Sequence, residues 1–245
     1  MRTLSALDFV RASRSVAVEL LAGRGHYDRV IGAIREAKHS VWVATANVKE
    51  LRVEDHRARP GKRRSSSGAG TFRSILHIFD ELAGRGVELR LLHATAPSGP
   101  FAQEFERLPQ LKGAALVAGR LQMRQCPRVH LKLVVVDGAV AYLGSANFTG
   151  AGLGVKGEGR RNFELGVVTT DDLALDELQQ VYDEIWSGRG CRGCRLRSVC
   201  PEPLDGMAFD GGGTQVEKNS ASLRKMASLR RDVKGKVGPK SKVPT

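Results

Sequence analysis

HLKLVVVDGAVAYLGSAN, residues 130–147, is the stretch on which the fold turns. It reads as a strand, an Asp-Gly turn, a second strand and a loop of small residues. Residues two apart on a strand point to the same face, so His130 and Lys132 are expected to project together. An imidazole beside an ammonium suits a phosphate: one group attacks while the other neutralises charge. Gly144 would let a ligand approach the backbone, and Ser145 and Asn147 carry donors for phosphate oxygens. Asp137 has two readings, a member of the site or simply the first residue of the hairpin turn.

Outward from this core, helix and strand patterns alternate. Residues 4–22 place Leu4, Leu7, Val10, Val16 and Leu20 near helical spacing, which predicts an N-terminal helix ending near Gly23. A second helix is expected over 28–38, and VWVATANV (41–48) reads as a buried strand. Residues 71–85 return to helical period, and 85–95 turn into another strand. NFELGVVTT (162–170) is a further strand, and 171–187 form a helix behind an Asp171-Asp172 cap. The predicted fold class is α/β, layered, with a mixed central sheet flanked by helices. The expected divisions are an N-terminal helix (1–22), a catalytic domain (23–190), a cysteine segment (191–210) and a Gly-rich linker with a disordered basic tail (211–245).

Charge points to a polyanionic partner. The net charge is +13, and residues 219–245 hold eight of the 39 basic residues against one acid. A polar loop, 54–70, adds Arg57, Arg59, Lys62, Arg63 and Arg64. Of these, Arg57, Lys62, Arg63 and Arg64 are the candidates for contact with a nucleic-acid backbone. The tail could also form a short basic helix on DNA or on an anionic membrane. No apolar run is long enough to span a bilayer, and the charged N-terminus lacks the core of a signal peptide. The expectation is a cytoplasmic protein without stable membrane insertion.

The spacing H-x-K-x4-D-x6-G-S-x-N resembles the HKD motif of the phospholipase D-like superfamily. The strand at 41–48, the RGV entry to the strand near 85 and NFELGVV after the motif fit the same layout, so the resemblance covers roughly residues 23–187. It implies that His130 attacks phosphorus to form a covalent phosphohistidine. Lys132, Ser145 and Asn147 would hold the phosphoryl oxygens, and Glu164 matches an acid that hydrogen-bonds the histidine in many relatives. No divalent metal is implied at this site. The superfamily's active site needs two such motifs and this chain has one, which implies a homodimer with His130 of each subunit facing across a two-fold axis.

Cys191, Cys194 and Cys200 follow as C-x2-C-x5-C, a spacing suited to a metal. The segment is similar to the C-terminal cysteine cluster of RecB-type nucleases, which implies a [4Fe–4S] cluster. Cys126 is the candidate fourth ligand, and zinc is the alternative metal.

The leading functional expectation is a nuclease on DNA or RNA. The layout also resembles small single-motif proteins of antiphage systems such as DISARM, which implies partners in a defence complex. Two alternatives stand beside it: a phospholipid phosphodiesterase or phosphatidyltransferase of the phospholipase D or cardiolipin-synthase type, and a nucleic-acid-binding subunit of a larger complex.

Overall fold

The computed structural model describes residues 7–55, 72–112 and 121–206. Arg57, Lys62, Arg63, Arg64, the Gly-rich linker and the basic tail lie outside these residues. Within them the chain forms β1 (Glu19–Ala22), a π-type turn (Tyr27–Ile31) continued by α1 (Gly32–Glu36), β2 (Ser40–Thr45), β3 (Arg52–Glu54) and β4 (Phe72–Ser74). Then come α2 (Ile75–Gly84), β5 (Glu88–His93), α3 (Gly99–Phe105), α4 (Pro109–Lys112) and β6 (Leu121–Gln125). The hairpin β7 (Leu133–Val136) and β8 (Val140–Gly144), β9 (Leu165–Thr169) and α5 (Asp172–Trp186) complete the regular elements.

Seven strands make one mixed sheet in the order β1-β9-β8-β7-β2-β5-β6. β2, β5 and β6 run parallel, and β7 joins β2 antiparallel. The sheet separates two cores. Val41, Val43, Val134 and Val136 face one side, packed with Ile34, Leu82, Phe101 and Phe148. Ala44, Leu133, Val135 and Ala141 face the other, beneath Leu175, Tyr182 and Trp186 of α5. All four residues of β7 are buried, which is why its sequence is a solid apolar run without alternation.

The hairpin turn is built as its Asp-Gly pair demands. Asp137 has φ 55° and Gly138 φ 63°, and Ala139 N donates to Val136 O at 3.0 Å. Two successive positive φ angles define a type I′ turn, whose twist matches the strands. The Asp137 carboxylate has a second task. It accepts from Lys38 N (2.9 Å), His39 N (2.7 Å) and Ser40 N (2.8 Å), the three amides that lead into β2. Burial pushes this carboxyl up, but the three amides together outweigh it and hold it below its usual value.

Three expectations are corrected here. Residues 8–18 carry no regular element, and Glu19–Ala22 is an edge strand paired with β9 instead of the end of a helix. The edge of β9 needs backbone partners, and Arg11 and Arg14 tie the preceding segment to Glu177 and Asp171 around α5. The helix predicted from 71 starts at Ile75, because Ser74 caps it by accepting from Leu76 N (3.1 Å) while Phe72–Ser74 pair with β3. The cysteine segment is also no separate appendage. Leu204 is buried in the α5-side core, and Glu202 accepts from Gln125 N at 3.1 Å.

Asp137→Asn tests the turn. Asparagine tolerates the same positive φ, but its NH2 would oppose Lys38 N–H where Oδ2 now accepts. A loss of about 1–2 kcal/mol at pH 7 is expected in denaturant unfolding. Because the folded carboxyl titrates below its unfolded value, its contribution is present above the ordinary carboxylate range and is lost as pH falls through the folded value. The gap between wild type and variant should therefore shrink in acid.

Candidate active site

The functional residues collect at one end of the sheet. The strand-pairing rungs stop at Ala44–Leu133 and Thr45–His93, and the next rung places Lys132 opposite Thr45. His130 and Lys132 thus lie in the segment leading into β7, not inside the strand itself. Gly144 N donates to Lys132 O at 3.1 Å, which draws the end of β8 beside them.

Lys132 is buried while His130 is exposed. The Lys132 ammonium donates to His130 O (2.9 Å) and lies 2.9 Å from the imidazole Nδ1. Burial pulls the ammonium below its ordinary value, and the Glu164 carboxylate opposes that shift. The pair therefore forms a cation held against the ring of an open histidine. Anions approaching from solvent meet both groups at once.

The loop after β8 is fastened from two sides. Ser145 N and Oγ both bond the backbone of Leu165, and Ser145 Oγ donates to Glu164 Oε2. Glu164 also accepts from Asn162 Nδ2 at 3.0 Å. Its hydrogen bonds among the described residues go to Ser145 and Asn162, not to His130. Asn147 Oδ1 accepts from Thr45 Oγ1 (3.2 Å) and Asn47 N (3.3 Å), and among the described residues its NH2 has no hydrogen-bond partner. Thr45 Oγ1 in turn accepts from Phe148 N at 3.0 Å. Tyr142 supports the loop from within. Its buried hydroxyl accepts from Ala146 N (3.4 Å), and burial, partly offset by that bond, pushes it up to about 12.

Two candidate residues have other duties. Asp137 stands at the far end of β7, roughly 16 Å of strand away from Lys132 at ~3.3 Å per residue, and its oxygens serve the β2 amides. Gly144 is glycine because of its neighbours. A Cβ there would fall 2.5 Å from Tyr142 Oη and 2.7 Å from both Gly166 Cα and Leu165 O. The space a ligand was expected to use is filled by β9 and Tyr142.

Sequence reasoning missed Thr45, Asn47 and His93. Thr45 and Asn47 anchor Asn147 as described. His93 is buried, donates Nδ1–H to Thr95 O (3.0 Å), and is pushed down to about 4 by burial against that bond, so it stays neutral. The cysteines do not enter this site. None of the four is in a disulfide, and they line a separate cavity with Pro127 and Leu204.

A mixed sheet with a His-x-Lys pair at the entry to a central strand, and a Gly-Ser-x-Asn loop at the end of the neighbouring strand, is the arrangement that the phospholipase D-like resemblance implies. A family profile described as cardiolipin synthase, PLD-like domain, matches residues 30–186, and the chain belongs to that family. Among solved structures, NucT from Helicobacter pylori is similar at 14% identity and TM-score 0.45, covering 69% of this chain and 95% of its own. Nuc from Salmonella typhimurium, a phospholipase D family member, is similar at 18% identity and TM-score 0.44, covering 70% of this chain and 95% of its own. Phosphatidylserine synthase from Haemophilus influenzae Rd KW20 is similar at 14% identity and TM-score 0.45, covering 90% of this chain and 47% of its own. No curated protein matches the sequence. Among the described residues no helix is long and apolar enough to cross a membrane.

Thr45→Val keeps the shape of β2 but removes the hydroxyl that bonds Asn147 and Phe148. The loop is expected to shift, lowering kcat/KM on a chromogenic phosphodiester about 10–100-fold. Unfolding free energy should fall by about 1–3 kcal/mol for the unpaired groups left behind.

Proposed function

We propose that this protein is a nuclease that cleaves DNA or RNA through a phosphohistidine on His130 and works as a two-fold dimer. The observation that carries the reading is the exposed imidazole with a buried ammonium bonded to it, in a chain of net charge +13. Nucleic acid is the phosphodiester that a strongly basic chain would gather from solution.

The chemistry balances as two displacements. A His130 ring nitrogen attacks phosphorus and the bond to the leaving oxygen breaks. That oxygen takes a proton from the imidazolium of the partner subunit's His130. The same partner histidine, now neutral, removes a proton from water. The resulting hydroxide attacks phosphorus, the P–N bond breaks, and a phosphomonoester leaves. Lys132, Ser145 and the Asn147 NH2 would stabilise the phosphoryl oxygens; in that state the ammonium would exchange the imidazole, and the Ser145 hydroxyl would exchange Glu164, for phosphate. None of these steps calls on a metal.

One motif per chain supplies one histidine, so the second must come from another copy. An exposed apolar strip runs along the same edge strands, on the sheet face opposite Lys132. Leu20, Val167 and Leu143 share one rung and one face, and Leu165 lies on the same face two residues along β9. Leu20 is 69% exposed, Leu165 57% and the neighbouring Phe163 fully exposed. A lipid-directed phosphodiesterase is the second reading, favoured by the family profile's description as a cardiolipin synthase domain. Defence partners and a location in the cytoplasm fit a nuclease role and belong to this proposal.

The test incubates purified protein and EDTA with single-stranded DNA, duplex DNA, RNA or phosphatidylglycerol. Nucleic-acid cleavage is expected to survive EDTA and to fall at least about 10³-fold in His130→Ala. Light scattering should give twice the chain mass, and Phe163→Glu should lower both the mass and the activity. Lipid turnover without nucleic-acid turnover would replace the nuclease reading, and full activity in a strict monomer would end the shared-site mechanism.

A further inference from the structure

Four thiols from two distant parts of the chain face one cavity. Cys126 directly follows β6, while Cys191, Cys194 and Cys200 sit on the turns after α5. The cavity measures about 130 Å³, and all four side chains line it. The rest of its wall is mostly apolar, from Leu7, Val129, Ile185, Leu196 and Leu204. No two of the cysteines are joined as a disulfide.

The segment that carries three of them has little of its own to hold it. It is a chain of single turns: Cys191 N bonds Gly188 O (2.9 Å), Cys194 N bonds Cys191 O (3.1 Å), and Arg197 N bonds Cys194 O (3.1 Å). Leu204 is its one buried apolar side chain. Beyond these turns it is held by Leu204, by Glu202 on Gln125 N (3.1 Å) and by the Arg197–Asp205 pair, a small return against the cost of ordering a segment of this length. Cys126, by contrast, is fixed on the sheet, with its N–H on His93 O at 2.8 Å and its carbonyl accepting from Val129 N at 3.0 Å. A rigid thiol from the sheet and three from a weakly supported loop, all facing one space, form a ligand set whose loading would supply the missing folding energy.

The spread of the thiols bears on the guest. A single zinc ion holds each sulfur at about 2.3 Å, which brings four sulfurs nearly into contact. Among the described residues no three His, Cys, Asp or Glu side chains are arranged to hold one metal ion. A cluster that brings its own bridging sulfides spans a wider gap between thiolates. Arg128 and Arg197 also line the cavity and offset the charge of the thiolates, although Arg197 is shared with Asp205. We infer that Cys126, Cys191, Cys194 and Cys200 ligate a [4Fe–4S] cluster that clamps the C-terminal segment to the end of β6. This site is independent of the phosphodiester chemistry at His130.

The full chain, purified without oxygen, tests it by visible absorbance and by assay of iron, acid-labile sulfide and zinc. A brown protein with about four irons and four sulfides per chain is expected. Cys126→Ser should lose the visible band as completely as Cys194→Ser. Cys200→Ser, on the outer turn, repeats the test with the sheet untouched, and circular dichroism checks that each variant is folded. Oxidative loss of the cluster should speed proteolysis within 187–206 relative to the rest of the chain. A colourless protein with one zinc per chain overturns the cluster, and a metal-free protein overturns the site. Iron that survives in folded Cys126→Ser overturns the role of that residue.

Discussion

The grip of one carboxylate on three amides sets the register of the central sheet. Asp137 ends β7 and holds Lys38, His39 and Ser40, so β7 enters its antiparallel pairing with β2 at a fixed starting point. Side chains alternate along a strand, and a slip of one residue would turn every one of them over. Lys132 would then face α5, and Leu133 would face the site. The residue that looked like part of the chemistry acts on it through register, from the opposite end of the strand.

From that register the two faces acquire different tasks. One face of the sheet packs the large aliphatic core and ends, at the last rung, in Lys132, Thr45 and His93. These three polar side chains are buried at the rim, and Thr45 and His93 each have hydrogen-bond partners there. The cost of burying the lysine is eased by the His130 carbonyl and by the field of Glu164. A partly desolvated ammonium next to an open imidazole is primed for an anion, since a phosphate would satisfy it better than the ring does.

Much of this was legible in the sequence, and the failures have definite causes. The Asp-Gly turn and the solid apolar run of β7 are local signals, and local rules read them correctly; the strand itself starts at Leu133, past His130 and Lys132. Thr45, Asn47 and His93 were missed because their roles depend on which strands become neighbours, which no spacing encodes. Gly144 was noticed for the right property and the wrong reason. It needs to lack a Cβ because Tyr142 lies across Gly144 and Gly166, a tertiary contact. The N-terminal segment was misread because Val16 and Leu20 fall at helical spacing by coincidence. Leu20 is exposed on the edge strand, and Leu21 is the buried residue.

The α5 side of the sheet shows how the catalytic domain and the cysteine segment come to be one unit. Trp42, Tyr182 and Trp186 stack at centroid distances of 5.3 and 5.7 Å, with Arg90 over Trp42 and Arg124 over Trp186. Arg124 also donates to the Trp186 carbonyl at the last turn of α5, where a cation suits the helix dipole. Burial lowers the Arg124 guanidinium, and Glu202 from the cysteine segment counters that. Glu202 in turn binds Gln125 N, one residue before Cys126. Arg124 thus ties β6 to the end of α5, while Glu202 ties the chain beyond Cys200 to the end of β6, with the charges of Arg124 and Glu202 near each other. Both contacts flank the stretch between the end of α5 and Cys200, the stretch that carries Cys191 and Cys194 up to the cavity shared with Cys126.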